Sequence, residues 1–199
     1  MRTFATVATL IAALFSVSAS AATSTTLTFE GQYNAQYDNT TIVRDGYEIG
    51  IVSGFEQHFH EITSNDYGLT SNGTGILLVD RPTQLYIKSA DLSDFQLNSF
   101  DSSWYSGSGT IKVIGYRDGS EVGNFSIGAS MNGWTTQSGL SLGSVDYLVF
   151  DGTAQTSGWG QQLDNIKLVA APVPEPETYA LMLAGIGMVG FIRSRRKAV

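Results

Sequence analysis

Through the middle of the chain, apolar and polar residues change places every few positions, and long uninterrupted apolar runs occur only near the two ends. Between the ends, apolar and β-branched residues gather in short runs at 25–30, 47–53, 75–80, 84–89, 95–100, 109–116, 121–127, 145–150 and 162–169, separated by Gly, Asn, Asp and Ser. Runs of this length and spacing predict strands. In one of them Ile111 and Val113 share a face while Ile114 and Tyr116 share the other, as the two-residue period of a strand requires. Arg117-Asp118-Gly119-Ser120 predicts a hairpin, because Asp-Gly suits a primed turn. No stretch of about 11 residues within 22–171 carries a helical stripe. The expected fold is all-β: an antiparallel β-sandwich, jelly-roll-like, with an N-terminal signal helix and a single hydrophobic helix at the C-terminus.

The ends read as addresses rather than fold. Met1-Arg2-Thr3 supplies a positive start, Phe4 to Val17 is mostly apolar, and Ala19 and Ala21 stand in the A-x-A relation that signal peptidase accepts. Cleavage is expected after Ala21. At the other end Pro172-Val173-Pro174-Glu175-Pro176 is neither helix interior nor central strand. An uncharged run follows over 179–192, and Arg193, Arg195, Arg196 and Lys197 close the chain. The run makes a helix of about 21 Å, short against a ~30 Å hydrocarbon core. It is expected to span the membrane only transiently, with Gly185, Gly187 and Gly190 weakening it and the basic end held in the cytoplasm. Three parts result: a signal peptide at 1–21, a β-sandwich at 22–171 and a sorting segment at 172–199.

Charge narrows the partners. Within 22–171 acidic residues outnumber basic ones 16 to 6, a net charge near −10. Such a surface repels nucleic acid and anionic lipid heads. It leaves carboxylates for a hard cation such as calcium. Cysteine is absent, so an exported domain of this sequence is held by packing, hydrogen bonds or metal rather than disulfides.

Candidate chemistry is sparse. Glu56, His58 and His60 would share one face of a strand, the beginning of a metal site that lacks an evident further ligand. The same spacing suits a polar strand face. Gly139-Leu140-Ser141-Leu142-Gly143 has the letters of a nucleophile elbow, but strand rather than helix is expected after it. Ser106-Gly107-Ser108-Gly109 lacks the helix and Gly-Lys ending of a phosphate loop. No carboxylate pair stands out for glycoside cleavage. Trp104, Trp134 and Trp159 lie in Gly/Ser-rich stretches, where exposed rings would stack on sugars while Asn132, Gln161 and Gln162 bond hydroxyls. The alternative is that each tryptophan plugs the core. Sequons at Asn39, Asn72 and Asn124 carry no expectation.

The order Pro174-Glu175-Pro176, apolar helix, basic end resembles the PEP-CTERM sorting signal of Gram-negative bacteria. That resemblance implies recognition by an exosortase, removal of the tail near the Pro-Glu-Pro, passage from the inner membrane to the cell surface or beyond, and a host that secretes exopolysaccharide. Thr28-Phe29-Glu30-Gly31, Ile114-Gly115-Tyr116-Arg117-Asp118-Gly119 and Gln162-Leu163-Asp164-Asn165-Ile166 resemble β-sandwich domains found ahead of such tails. The pattern is also similar to galactose-binding-like jelly rolls and carbohydrate-binding modules. In those, an early Glu and a late Asp hold a structural calcium, which carries over to Glu30 and Asp164. The expected function is a non-catalytic surface or matrix protein of the exopolysaccharide or biofilm layer, with glycan as a ligand. The alternatives are a secreted polysaccharide-active enzyme and a purely structural adhesin.

Overall fold

The computed structural model describes residues 22–30, 35–38, 40–54, 58–63, 72–80, 83–104, 108–130, 133–153, 160–171 and 182–188. Among them lie β1 (Ser24–Leu27), β2 (Ala35–Asp38), β3 (Ile42–Arg44), β4 (Tyr47–Gly54), β5 (His58–Thr63), β6 (Gly75–Asp80) and β7 (Thr83–Ser89). There follow β8 (Phe95–Trp104), β9 (Ser108–Arg117), β10 (Ser120–Ser130), β11 (Thr135–Ser138), β12 (Tyr147–Asp151) and β13 (Gly160–Ala170). Strands pair in two sheets. A seven-stranded sheet runs β11-β8-β13-β6-β5-β2, with β1 also beside β13, and a six-stranded sheet runs β10-β9-β12-β7-β4-β3. The ladders are antiparallel, as expected for a sandwich.

Each predicted run overlaps a strand, although residues 28–30 leave β1 and β12 begins only at Tyr147. Two Asp-Gly turns set hairpin register: Asp118 and Gly119 at φ 51° and 74°, and Asp45 and Gly46 at φ 48° and 84°. Positive φ at both central residues gives a turn whose twist matches its strands. β2, β3, β5 and β11 were not expected. Three are only three or four residues long, and β5 reverses the usual pattern by turning a glutamate inward.

Alternation builds the core. Along β7 the inward positions Thr83, Leu85, Ile87 and Ser89 are buried and those between are half-buried. Phe29, Phe59, Phe95, Phe100, Trp104 and Phe150 are fully buried, and Phe100 meets Phe150 edge-on across the two sheets at 5.1 Å. Each such side chain contributes about 1.5–3 kcal/mol on burial, which is how a cysteine-free domain stays folded. The segment Ala22–Ala171 forms one unit. Its ends are stitched together: Ser24 faces Val169, Leu27 faces Ile166, and the Ala170 amide donates to the Thr23 carbonyl at 2.9 Å.

Two local features position polar groups. In β13 the register against β8 slips between Asp164 and Lys167, and Asn165 sits at φ 47°. This bulge returns Ile166 to the core while leaving Asp164 on the outer face beside Asp101. At the other flank, Glu61 of β5 is fully buried and faces inward. Arg44 of β3 donates through Nε at 3.1 Å and Nη2 at 2.8 Å, and the Tyr37 hydroxyl donates at 3.0 Å. A bidentate pair thus joins an edge strand of one sheet to the other sheet.

Outside the sandwich, residues 182–188 form a helix. Seven residues extend about 10 Å. No helix among the described residues is long and apolar enough to cross a membrane, and the rest of the expected 179–192 helix lies outside them.

Candidate functional site

The outer face of the six-stranded sheet carries a row of tyrosines. Leu85, Ile87, Val113, Leu148 and Phe150 point into the core, so the alternate positions Tyr86 on β7, Tyr116 on β9 and Tyr147 on β12 point outward. Tyr116 and Tyr147 are ladder partners, and their rings meet edge-on at 6.0 Å. Tyr147 and Tyr86 lie diagonally across the next pair of strands and stack at 5.2 Å with planes 18° apart. Gly50 of β4 lies directly opposite Tyr86. A Cβ there would stand 2.7 Å from the Tyr86 hydroxyl, so the glycine is what lets the ring lean over β4. The hydroxyl donates to Glu48 Oε1 at 2.6 Å. Lys88 Nζ approaches the same oxygen at 3.0 Å and lies 5.7 Å from the Tyr86 ring centre.

Beside this row runs an open groove of about 430 Å³. Val52, Ile114 and Val149 give it an apolar lining, Tyr116 and Tyr147 wall it, and Gln84 and Asp146 add polar edges. Burial first, then the charges of Tyr116 and Glu48, pushes the Tyr147 phenol up to about 12. Burial and the bond to Glu48 push Tyr86 higher still, and the Tyr86 hydroxyl in turn holds Glu48 below its ordinary value. The phenols therefore remain hydrogen-bond donors and Glu48 remains charged at neutral pH. Flat rings, an apolar lining and fixed polar groups around it suit a ligand with an apolar face and hydroxyl edges.

A second polar site lies on the outer face of the other sheet. Asp164 is fully buried. Its oxygens accept from Asn72 Nδ2 at 2.6 Å, Thr74 Oγ1 at 2.9 Å and the Asn165 amide at 2.7 Å. The Gly75 amide donates to Glu30 Oε2 at 3.3 Å. Gly75 has no room for a side chain, since a Cβ would fall 2.2 Å from the Phe29 carbonyl oxygen. Burial raises the Asp164 carboxyl, the three donors counter that, and the nearby Glu30 charge raises it further. The fold thus brings Glu30 and Asp164 together. The two carboxylates stand near enough to repel each other, beside the Asn72 amide oxygen and the Thr74 hydroxyl.

The tryptophans diverge. Trp104 ends β8 fully buried in the main core, not in a loop, so the stacking role expected for it is corrected: its ring has no exposed face. The run 95–100 continues as strand to residue 104 and carries the indole inside. Trp134 packs against Ile62, Ile76 and Leu78, a small cluster on the outer face of the seven-stranded sheet. Gln162 lies on that face too, opposite Leu78 and Ser103, whereas Gln161 points inward opposite Trp104. Trp159 and Asn132 lie outside the described residues.

Of the histidine segment, Glu56 lies outside the described residues and His60 is a half-buried outer-face residue of β5 opposite Leu78. Among the described residues, no group of three or more His, Cys, Asp or Glu is placed to hold a metal. Ser141 is exposed between Gly139 and Gly143, at φ 69° and 74°, and the chain passes on through the Val145 bridge into β12 rather than into a helix. That geometry is not a nucleophile elbow. Ala19, Ala21, Pro174, Glu175, Pro176, Arg193, Arg195, Arg196 and Lys197 all lie outside the described residues.

What the tail is comes from comparison. Residues 172–197 match the PEP-CTERM protein-sorting motif. The motif marks an exported protein that an exosortase processes, so the short helix at 182–188 belongs to a sorting signal. No curated protein matches the chain. The solved structures similar to it include β-sandwiches. One is CBM29_1, a family 29 carbohydrate-binding module from Piromyces equi, at 14% identity over 76% of this chain and 93% of that chain, TM-score 0.44. Another is the K1 cleaved adhesin domain of Lys-gingipain from Porphyromonas gingivalis W83, at 14% identity over 75% and 99%, TM-score 0.42. A third is the family 32 module from C. perfringens NanJ in complex with galactose, at 12% identity over 67% and 99%, TM-score 0.39.

The tyrosine face escaped the sequence reading, which looked for tryptophans in loops. Its signal was present: Tyr86, Tyr116 and Tyr147 each occupy the polar phase of an otherwise apolar strand.

Proposed function

We propose that this is a cell-surface or extracellular-matrix protein that binds exopolysaccharide without cleaving it, through the tyrosine-walled groove of the six-stranded sheet. Signal peptidase removes the leader after Ala21. The apolar tail holds the inner membrane transiently, and exosortase cuts near Pro174-Glu175-Pro176. The observation that carries the glycan reading is the groove itself, where Tyr147 and Tyr116 stand beside Val52, Ile114 and Val149, with Gln84 and Asp146 at its edges. Each sugar face buried there displaces water from apolar surface, while the rim bonds hydroxyls. Binding rather than hydrolysis suits the acids present. Asp146 is the carboxylate among the described lining residues, and the Asp118 amide already donates to it at 2.7 Å. Glycoside cleavage needs two carboxyls facing one bond.

Calcium belongs to the proposal as a structural ion. Glu30 and Asp164 would hold it with oxygens of their neighbourhood, neutralising their mutual repulsion near the junction of β1 and β13.

A glycan array tests the ligand. Binding by the unaltered protein that is lost in Tyr147→Ala and kept in Trp134→Ala supports the groove. Loss only in Trp134→Ala moves the site to the other sheet, and no binding by any form favours the purely structural adhesin. The intact mass of protein from the producing host tests the processing. A chain still bearing Lys197 would contradict it.

A further inference from the structure

Three polar side chains lie inside the sandwich at the end where β13 begins and β8 ends. Gln161 and Trp104 are direct ladder partners of the seven-stranded sheet, and both are fully buried and inward-facing. Thr83 opens β7 in the facing sheet, on its inward face, and is 1% exposed. Among the described residues, four of their atoms have no partner: Gln161 Oε1 and Nε2, Trp104 Nε1 and Thr83 Oγ1. The ladder explains why. On one side Thr83 faces Gly54, and on the other the Gly152 amide donates to its carbonyl, so neither neighbouring strand brings a side chain to the hydroxyl. On β13, Gln161 is flanked by the Trp104 indole and by Val79, which has nothing to bond.

Buried amides, hydroxyls and indole N–H groups left unpaired are costly, and native interiors pair nearly all of them with protein or ordered water. A leucine or methionine would fill the Gln161 position with no such demand. Unpaired atoms from three residues of two facing sheets, gathered at one end of the interior, have one economical partner. We propose that this end of the sandwich is an internal water site, in which at least one ordered water bridges Gln161, Trp104 and Thr83. The donor inventory closes around it. The indole N–H only donates, the amide offers an acceptor and a donor group, and the hydroxyl does either, so a water accepts from Trp104 and donates to Gln161 Oε1. A water with two to four polar partners is the ordinary buried kind. The same bond network then links the two sheets. This site is separate from the groove proposed above and stands or falls without it.

Two measurements on the purified protein decide it. Rotating-frame NMR should show a cross-peak between water and the Trp104 indole proton from a long-lived bound water, the resonance being assigned by its loss in Trp104→Phe. Gln161→Met should lower the melting temperature by several degrees, since it removes bonds to the water without changing side-chain length. The absence of the water cross-peak in the unaltered protein would overturn the proposal whatever the variants do. An unchanged or raised melting temperature in Gln161→Met would also overturn it, because it would mean the amide is buried dry.

Discussion

Consider removing Arg44. Its guanidinium donates twice to Glu61, at 3.1 and 2.8 Å, and Glu61 is wholly enclosed between the sheets. Arg44→Met keeps the aliphatic stem over the flank but leaves a buried carboxylate with the Tyr37 hydroxyl as its remaining donor from this set. Breaking one side of a buried pair costs about 3–5 kcal/mol. The Arg44 side chain is 32% exposed, so water reaches part of the vacated space, and the cost here belongs near the low end, about 3 kcal/mol. For a domain of this size that is a fall of about 6–12 °C in melting temperature. The assay is thermal or urea unfolding, with Glu61→Leu and the double variant completing a cycle. A pair replaced on both sides by apolar groups is often neutral, so the double variant should recover about 2 kcal/mol relative to Arg44→Met alone. A melting change below about 2 °C in Arg44→Met, or a double variant whose losses simply add, would refute the account of this latch.

Other outcomes follow from the same geometry. Gly75→Ala places a Cβ against the backbone at Phe29, which has little freedom to yield, and should destabilise by about 1–3 kcal/mol in denaturant titration. Gly50→Ala displaces the Tyr86 ring and hydroxyl instead, so it should weaken glycan binding while shifting the melting temperature less than Gly75→Ala does. In chelator, the raised Asp164 carboxyl makes stability fall as pH rises from the ordinary carboxylate value up through its folded value, because there the folded state binds the extra proton. Added calcium should raise the melting point at pH 7 and flatten that limb, and Asp164→Asn should abolish both responses; melting curves across pH 4–7 report it. At the alkaline end Tyr147 titrates near 12 instead of 10.0, so stability should decline between those values, and Tyr147→Phe should reduce the decline.

The strands were readable because each is an alternating run cut by turn residues, and Asp118-Gly119 announced its own hairpin. The short edge strands were not, since β2, β3 and β11 are three or four residues long and bury few side chains. β5 hid for a different reason. Its inward glutamate is tolerable only because Arg44 and Tyr37 arrive from distant sequence, a pairing no local pattern reveals. Of the site residues, Glu30 and Asp164 were placed together through the meeting of first and last strands, whereas Trp104 was misplaced because β8 runs four residues past its alternating part. The tyrosine row could not be assembled from sequence, since it depends on strand order β9-β12-β7.

The claim on which the rest depends is that the groove beside Tyr147 binds polysaccharide. Affinity electrophoresis through a gel containing the exopolysaccharide of the producing host tests it most directly. We expect the unaltered protein to be retarded, Trp134→Ala to be retarded equally, and Tyr147→Ala to migrate as it does in a plain gel. Free migration of the unaltered protein, or undiminished retardation of a folded Tyr147→Ala variant, would contradict the account.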